Sequence, residues 1–397
     1  KAKRRKRMDI AIANSLFTTD GAFWHKGRKV LQQAFKTQMI RDYIPNLWRQ
    51  CEQMLHLSLG DTGNDQPYSG NMSSLMENMT MSASLVSLFG QAKISDTNTL
   101  VTAVKTCLQF MQQRVKKIIP LPVSLPSRRN KQFLNDIAYV RTTISDIVRQ
   151  SHTKAAIGPL PKSDTNTIVH LVQTIGEDSF DTKTTTNERE QYLVNELTGF
   201  MAASFDTVSS ALMWFWHLIG QHPDCMRRIR AELAEYIQPG QTPTAKQLDQ
   251  CQYLENTLHE SMRLYAPTWV ERQATAPDNV NGYRIPKNAM VVVSPYLLHR
   301  NTAHWEAPEV FDPSRFERKS ISERKRFSFL PYGGGPHICI GARFSMTMMK
   351  VIVATILQSR SYTESAISQE IPIHPVSQIS IRPSRPVFGN LILRPMQ

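Results

Sequence analysis

The 397-residue chain predicts a mainly α-helical, α+β fold in which a long central helix is surrounded by shorter helices and small β-sheets. Three observations carry that expectation. Residues Glu188 to Gly220 run without an interior proline and are apolar nearly all round, the pattern of a helix crossing the middle of a large protein. Before it, successive segments repeat apolar residues at helical spacing. After Leu264 the texture changes to short β-branched runs between turn residues.

In chain order, Asp20-Gly21 is a turn, and Trp24 to Lys36 places Val30, Leu31, Ala34 and Phe35 on one helical face. Further helices are expected over Tyr43–Ser58, Ser73–Leu88, Thr99–Ile118 and Lys131–Ser151. Pro120, Pro122 and Pro126 interrupt them in an apolar loop, Ile118–Leu125, with basic shoulders at Lys116, Lys117, Arg128 and Arg129. Such a loop suits a lid over a cavity, or a contact with a membrane surface. Gly158-Pro-Leu-Pro161 ends that region. The central helix closes at His222-Pro223, and two more helical segments reach Leu264. Met290–Val293 reads as a strand. Ile379–Arg382 and Leu391–Leu393 read as a hairpin around a turn at Pro386–Asn390, and Ala342–Leu357 as a last helix.

Composition excludes several classes. The 47 Lys and Arg against 33 Asp and Glu leave a net charge of +14, which admits acidic partners. The basic start Lys1–Arg7 alone would suit nucleic acid, but no nucleic-acid-binding signature accompanies it. Five cysteines without CxxC spacing indicate neither a disulfide framework nor structural zinc, and point to a reducing compartment. No run approaches the ~18 apolar residues of a membrane span.

The most informative run is Phe329-Leu-Pro-Tyr-Gly-Gly-Gly-Pro-His-Ile-Cys-Ile-Gly341. Three glycines and a proline make a sharp turn that presents Cys339 just before a helix, and a thiolate so held is an iron ligand. A buried free cysteine beside a tight turn has the same local composition. Elsewhere, Glu260-Ser-Met-Arg263 pairs a carboxylate with a guanidinium on one helical face, and Phe311-Asp-Pro-Ser-Arg315-Phe316 adds a second guanidinium. Ala203-Ser-Phe-Asp206-Thr207 sets an acid beside an alcohol among small residues of the central helix. Trp24-His-Lys-Gly-Arg28 offers two donors one turn apart, suited to a carboxylate.

Together these motifs resemble the cytochrome P-450 family. Tyr332, Gly335, His337, Cys339 and Gly341 match its haem-binding loop, with Tyr where Phe is commonest and a titratable His where Arg is. The resemblance implies a single domain over residues 1–397, helix-rich from about 15 to 266, and strand-rich with the haem loop from about 267 to 397. It also implies an incomplete N-terminal part, because several tens of residues normally precede the segment matching Ser15–Arg28.

What the resemblance implies for chemistry is a haem-thiolate monooxygenase holding haem b with Cys339 as the iron ligand. Glu260, Arg263 and Arg315 become the charge cluster that locks the thiolate loop. Asp206 and Thr207 become the proton relay, with Ala203 giving room to dioxygen, Ser204 standing where Gly is usual and Val208 where a hydroxyl is common. Trp24, Arg28, Arg272 and His337 become partners of the haem propionates. Phe200, Ala203, Thr268, Trp269, Val270, Val387 and Phe388 are the expected substrate pocket.

The substrate would be an apolar molecule, fatty-acid- or alkane-like or a terpenoid, oxidised by O2. Electrons would come from a separate ferredoxin or flavoprotein reductase on a basic face including Lys26, Lys29, Arg343 and Lys350. A monomeric, cytoplasmic protein that binds no nucleic acid is expected, with a peripheral membrane contact open to it. The alternative is a haem-binding, non-oxygenating or inactive truncated relative.

Overall fold

The computed structural model describes residues 9–12, 15–59, 68–90, 97–117, 121–157, 185–365 and 370–393. The basic start Lys1–Arg7 and the Gly158–Pro161 breaker lie outside them. The helices in chain order are α1 (Asp9–Ile12), α2 (Gly21–Leu31), α3 (Thr37–Leu59), α4 (Met72–Phe89), α5 (Thr97–Lys116), α6 (Arg128–Ile157) and α7 (Thr186–Gln221). There follow α8 (Pro223–Tyr236), α9 (Ala245–Gln250), α10 (Gln252–Leu264), α11 (Pro295–Leu298), α12 (Arg318–Glu323) and α13 (Ala342–Ser359).

Helix α7 is the expected central helix. A capping box fixes its start: the Glu188 amide donates to the Thr185 hydroxyl at 3.3 Å, while the Glu188 carboxylate accepts from the Thr185 amide at 2.8 Å. Leu212, Trp214, Phe215, Trp216 and Ile219 are all buried, so this stretch has no solvent face. It packs against α4, α6 and α10. Helix α4 is itself buried on almost every side between α7 and α3. Helix α3 starts six residues before the expected Tyr43 and carries Pro45 within it. Three helices, not two, follow α7, because Thr244 caps the short α9 with a box to Gln247.

The strands are β1 (Tyr68–Asn71), β2 (Val270–Gln273), β3 (Asp278–Val280), β4 (Tyr283–Ile285), β5 (Met290–Val293), β6 (Arg360–Glu364), β7 (Pro375–Ser377), β8 (Ile381–Pro383) and β9 (Phe388–Leu393). They pair only antiparallel, in the order β1-β9-β6 and as the pairs β2-β5, β3-β4 and β7-β8. The expected hairpin between Ile379–Arg382 and Leu391–Leu393 does not form. Instead β8 folds back on β7, and its Ile381 carbonyl accepts from the Ser210 hydroxyl at 2.7 Å and the Trp214 indole at 2.8 Å of α7. Strand β9 lies between β1 and β6, where the Tyr362 ring covers Gly389 so closely that a Cβ there would lie 2.2 Å from it.

In β5, the side chains of Met290, Val291, Val292 and Val293 are all exposed, with β2 as partner strand. Among the described residues, Gly335–Ser359 is the one stretch long and apolar enough to cross a membrane, and 67% of its most apolar window is buried in the protein. Leu121 and Leu125 of the expected lid are exposed and do not line the cavity described below.

Candidate active site

Helix α10 buries Glu260 and Arg263 completely. Each Arg263 N–H has an acceptor: Nε and one Nη reach the Glu260 oxygens at 2.7 and 2.8 Å. The other donors reach the carbonyls of His299, Pro308 and Val310 at 2.9, 2.6 and 3.0 Å. Glu260 also accepts from the Asp312 amide at 2.8 Å, and Arg315 approaches it to 3.6 Å. Burial pushes the Glu260 carboxyl up, opposed by Arg263, the Asp312 amide and Arg315. The three residues singled out in the sequence thus come together.

A fourth member, His299, escaped the sequence reading. It is fully buried; its Nε2 accepts from the Leu330 amide at 2.8 Å, so its Nδ1 carries the proton donated to the Arg263 carbonyl at 3.1 Å. Burial pushes its pKa down to about 4, consistent with a neutral ring. His299 therefore ties the ionic cluster to the start of the Cys339 loop. Its partners lie 31 and 36 residues away, so no local spacing marked it.

The loop itself turns on Gly333 and Gly335, whose φ values of +74° and +71° favour glycine. The Cys339 amide closes it by donating to the Tyr332 carbonyl at 3.0 Å, and Gly341 stands at the N-cap of α13. Cys339 is exposed and lines a cavity. Desolvation by the surrounding protein pushes the thiol pKa up, while the Gly341 amide and the Arg28 charge pull it down. Helix α2 brings the clamp residues to the same place: Trp24 is buried, its ring centre 3.9 Å from that of His337. Arg272 lies on β2, opposite Val291.

A cavity of about 150 Å³ lies between Cys339 and α7. Phe200, Ala203, Thr207, Thr268, Tyr332 and Gly341 line it, as expected. So do Phe17, Leu88, Met262 and Phe344, which no sequence motif singles out. The other expected walls are elsewhere. Trp269 lines a neighbouring cavity and bonds Glu271 at 2.8 Å, and Val270 begins β2. Val387 is buried behind the wall, its amide donating to the Ser73 hydroxyl at 2.9 Å, and Phe388 pairs with Asn71 in β9. The hairpin that would bring both to the cavity does not form, because β9 pairs with β1 and β6.

Asp206 and Thr207 point different ways. Thr207 faces the cavity and donates to the Ala203 carbonyl at 2.8 Å. Asp206 turns to Arg382 of β8, which also binds Glu77 at 2.7 Å; Glu77 in turn pairs with Lys105 at 2.6 Å. The expected basic face needs one correction. Lys26, Lys29 and Arg343 are exposed, but Lys350 is 4% exposed and paired with Glu255 at 2.9 Å. A lysine on the inner face of α13 cannot serve a docking partner.

A thiol aimed into an apolar slot, a Gly341 amide and an Arg28 charge that favour its ionised form, and donors at the rim fit a flat, iron-centred dianion. The fold and this site define a haem-thiolate oxidoreductase. Comparisons agree: the family profile Cytochrome P450 matches residues 3–388. The chain is 25% identical to cyclooctat-9-en-7-ol 5-monooxygenase of Streptomyces melanosporofaciens over 350 residues, covering 87% of this chain and 72% of that one. It is 29% identical to Cytochrome P450 3A1 of Rattus norvegicus over 57% of this chain and 45% of that one, less than half the rat protein's length. The retinoic acid bound cyanobacterial CYP120A1 superposes with a TM-score of 0.82 at 23% identity, over 98% of this chain and 83% of that one. The chain belongs to the cytochrome P450 family. It is a monooxygenase of that family, and haem b is its cofactor.

Proposed function

We propose that this chain inserts one oxygen atom of O2 into a terpenoid-like hydrocarbon skeleton, with electrons from a separate redox protein. The observation that carries the substrate class is the cavity wall, built from Phe17, Leu88, Phe200, Met262 and Phe344 with few polar groups. A streptomycete relative named for acting on a cyclic terpenoid alcohol and a structural neighbour holding retinoic acid support terpenoids over straight alkanes.

Cys339 is the residue that would hold haem b through its thiolate, and the bound haem would supply the oxygen-activating chemistry. Trp24, Arg28, Arg272 and His337 are the residues proposed to hold its propionates. Thr207 holds a hydroxyl at the cavity face of α7, where it can pass a proton, and Asp206 supplies protons from behind once its pairing with Arg382 loosens. The apolar walls exclude water. Electron delivery is assigned to the exposed Lys26, Lys29 and Arg343 on the side of the chain that carries Cys339.

The test is incubation of haem-replete protein with a panel of cyclic isoprenoids and matched alkanes under labelled dioxygen. Label in an isoprenoid product is expected. Label only in alkane products overturns the substrate class, and absence of a thiolate-type reduced carbon-monoxide spectrum overturns the haem-thiolate assignment.

A further inference from the structure

We infer that Ser204 is a specificity-determining residue that selects a substrate carrying a free hydroxyl on its hydrocarbon skeleton. The inference deepens, and rests on, the apolar-substrate reading above. Ser204 lines the Cys339 cavity one turn before Thr207. Its hydroxyl oxygen lies 2.9 Å from that of Ser84 on α4 and 3.2 Å from the Met201 carbonyl. Ser84 is fully buried.

The two protons can be placed in only one way that satisfies both. If Ser204 donated to Ser84, the Ser84 proton would point into apolar packing without an acceptor, which is costly. If Ser84 donates to Ser204, the Ser204 proton goes to the Met201 carbonyl and both are used. Ser204 then has one donor and one acceptor site engaged, and a lone pair remaining. That lone pair belongs to a side chain already fixed from α4, so it costs little further ordering. It accepts from an alcohol O–H but offers nothing to a ketone. The wall is mainly aromatic and aliphatic, and its Thr207 and Thr268 hydroxyls bond back to the backbone carbonyls of Ala203 and Trp269, whereas Ser204 is fixed by a second helix. The substrate this pair recognises is a hydrocarbon skeleton that already carries an alcohol. The reaction class that supplies it is therefore an earlier hydroxylation, or a cyclisation quenched by water.

The experiment uses haem-loaded protein and three rigid cages of similar shape, adamantane, 1-adamantanol and 2-adamantanone. Affinities are read from the substrate-induced Soret change and checked by equilibrium dialysis. Ser204→Ala is expected to lower the alcohol-to-hydrocarbon affinity ratio by about 3–10-fold, the worth of one neutral hydrogen bond, and to leave the ketone-to-hydrocarbon ratio unchanged. Ser204→Thr, which keeps the oxygen, and Thr207→Ala should both retain the alcohol preference. An unchanged alcohol ratio in Ser204→Ala, or a ketone ratio that falls equally, overturns the inference. Binding of adamantane itself tests the apolar-substrate reading separately, since it does not depend on Ser204.

Discussion

Asp206 and Arg382 are joined by two nitrogen contacts to one carboxylate oxygen, at 3.0 and 3.2 Å, and this ion pair turns the acid away from the cavity that Thr207 faces. Arg382 also neutralises Glu77, so one guanidinium from β8 stands between two largely buried carboxylates on α7 and α4. Arg382→Met should therefore leave Asp206 uncompensated and Glu77 with Lys105 alone, and lower stability by about 3–5 kcal/mol. Thermal unfolding at neutral pH checks this; a midpoint equal to wild type would show the pairing to be incidental.

Thr207→Ala and Asp206→Asn are expected to retain haem while product formation falls by ~10²–10⁴-fold, the usual worth of positioned proton transfer. Reducing equivalents should appear as peroxide or water. Product yield per reductant is the measurement, and a wild-type yield in both variants rules the relay out.

Glu196 on α7 gives a pH dependence with a definite sign. It is 1% exposed, accepts from the Leu16 amide at 2.7 Å, and burial raises its pKa from 4.5 to about 7. Between those values the folded protein holds a proton that the unfolded chain has released. Stability from this group is complete below about 4.5, falls as pH rises through about 7 and then levels off, a loss of roughly 3 kcal/mol. Glu196→Gln keeps the acceptor for Leu16 and should flatten the profile, as thermal midpoints at pH values on either side of the window will show.

Reduction by an acidic redox protein should slow in Lys26→Glu, Lys29→Glu and Arg343→Glu, and more steeply with added salt in wild type than in the variants. Lys350→Glu is expected to act differently. Placed against Glu255 in a buried position it should destabilise the fold instead of the encounter. Stopped-flow reduction rates against ionic strength separate the two behaviours.

Much of this arrangement was legible because its signals are local. The all-apolar face of α7, the Gly-rich turn before Cys339 and the Glu260–Arg263 spacing each lie within a few residues, and the structure keeps them. What escaped is set by distant partners. Asp206 reads as the neighbour of Thr207, but its orientation is decided by Arg382, 176 residues on. Lys350 reads as a surface cation on an otherwise apolar helix, yet Glu255 draws it inward. Val387 and Phe388 look like a hairpin tip until β1 recruits β9 into a three-stranded sheet. Strand β1 itself, Tyr-Ser-Gly-Asn, has too little apolar alternation to be read as a strand.

The saturated guanidinium of Arg263 bears on the order of assembly. Its acceptors all come from the polypeptide, and His299 carries the same lock forward to Leu330. The platform beneath Cys339 is therefore completed by protein groups alone, before any cofactor arrives. Cofactor insertion then becomes docking onto a finished seat, and gentle extraction should leave an apoprotein that takes haem back without passing through global refolding.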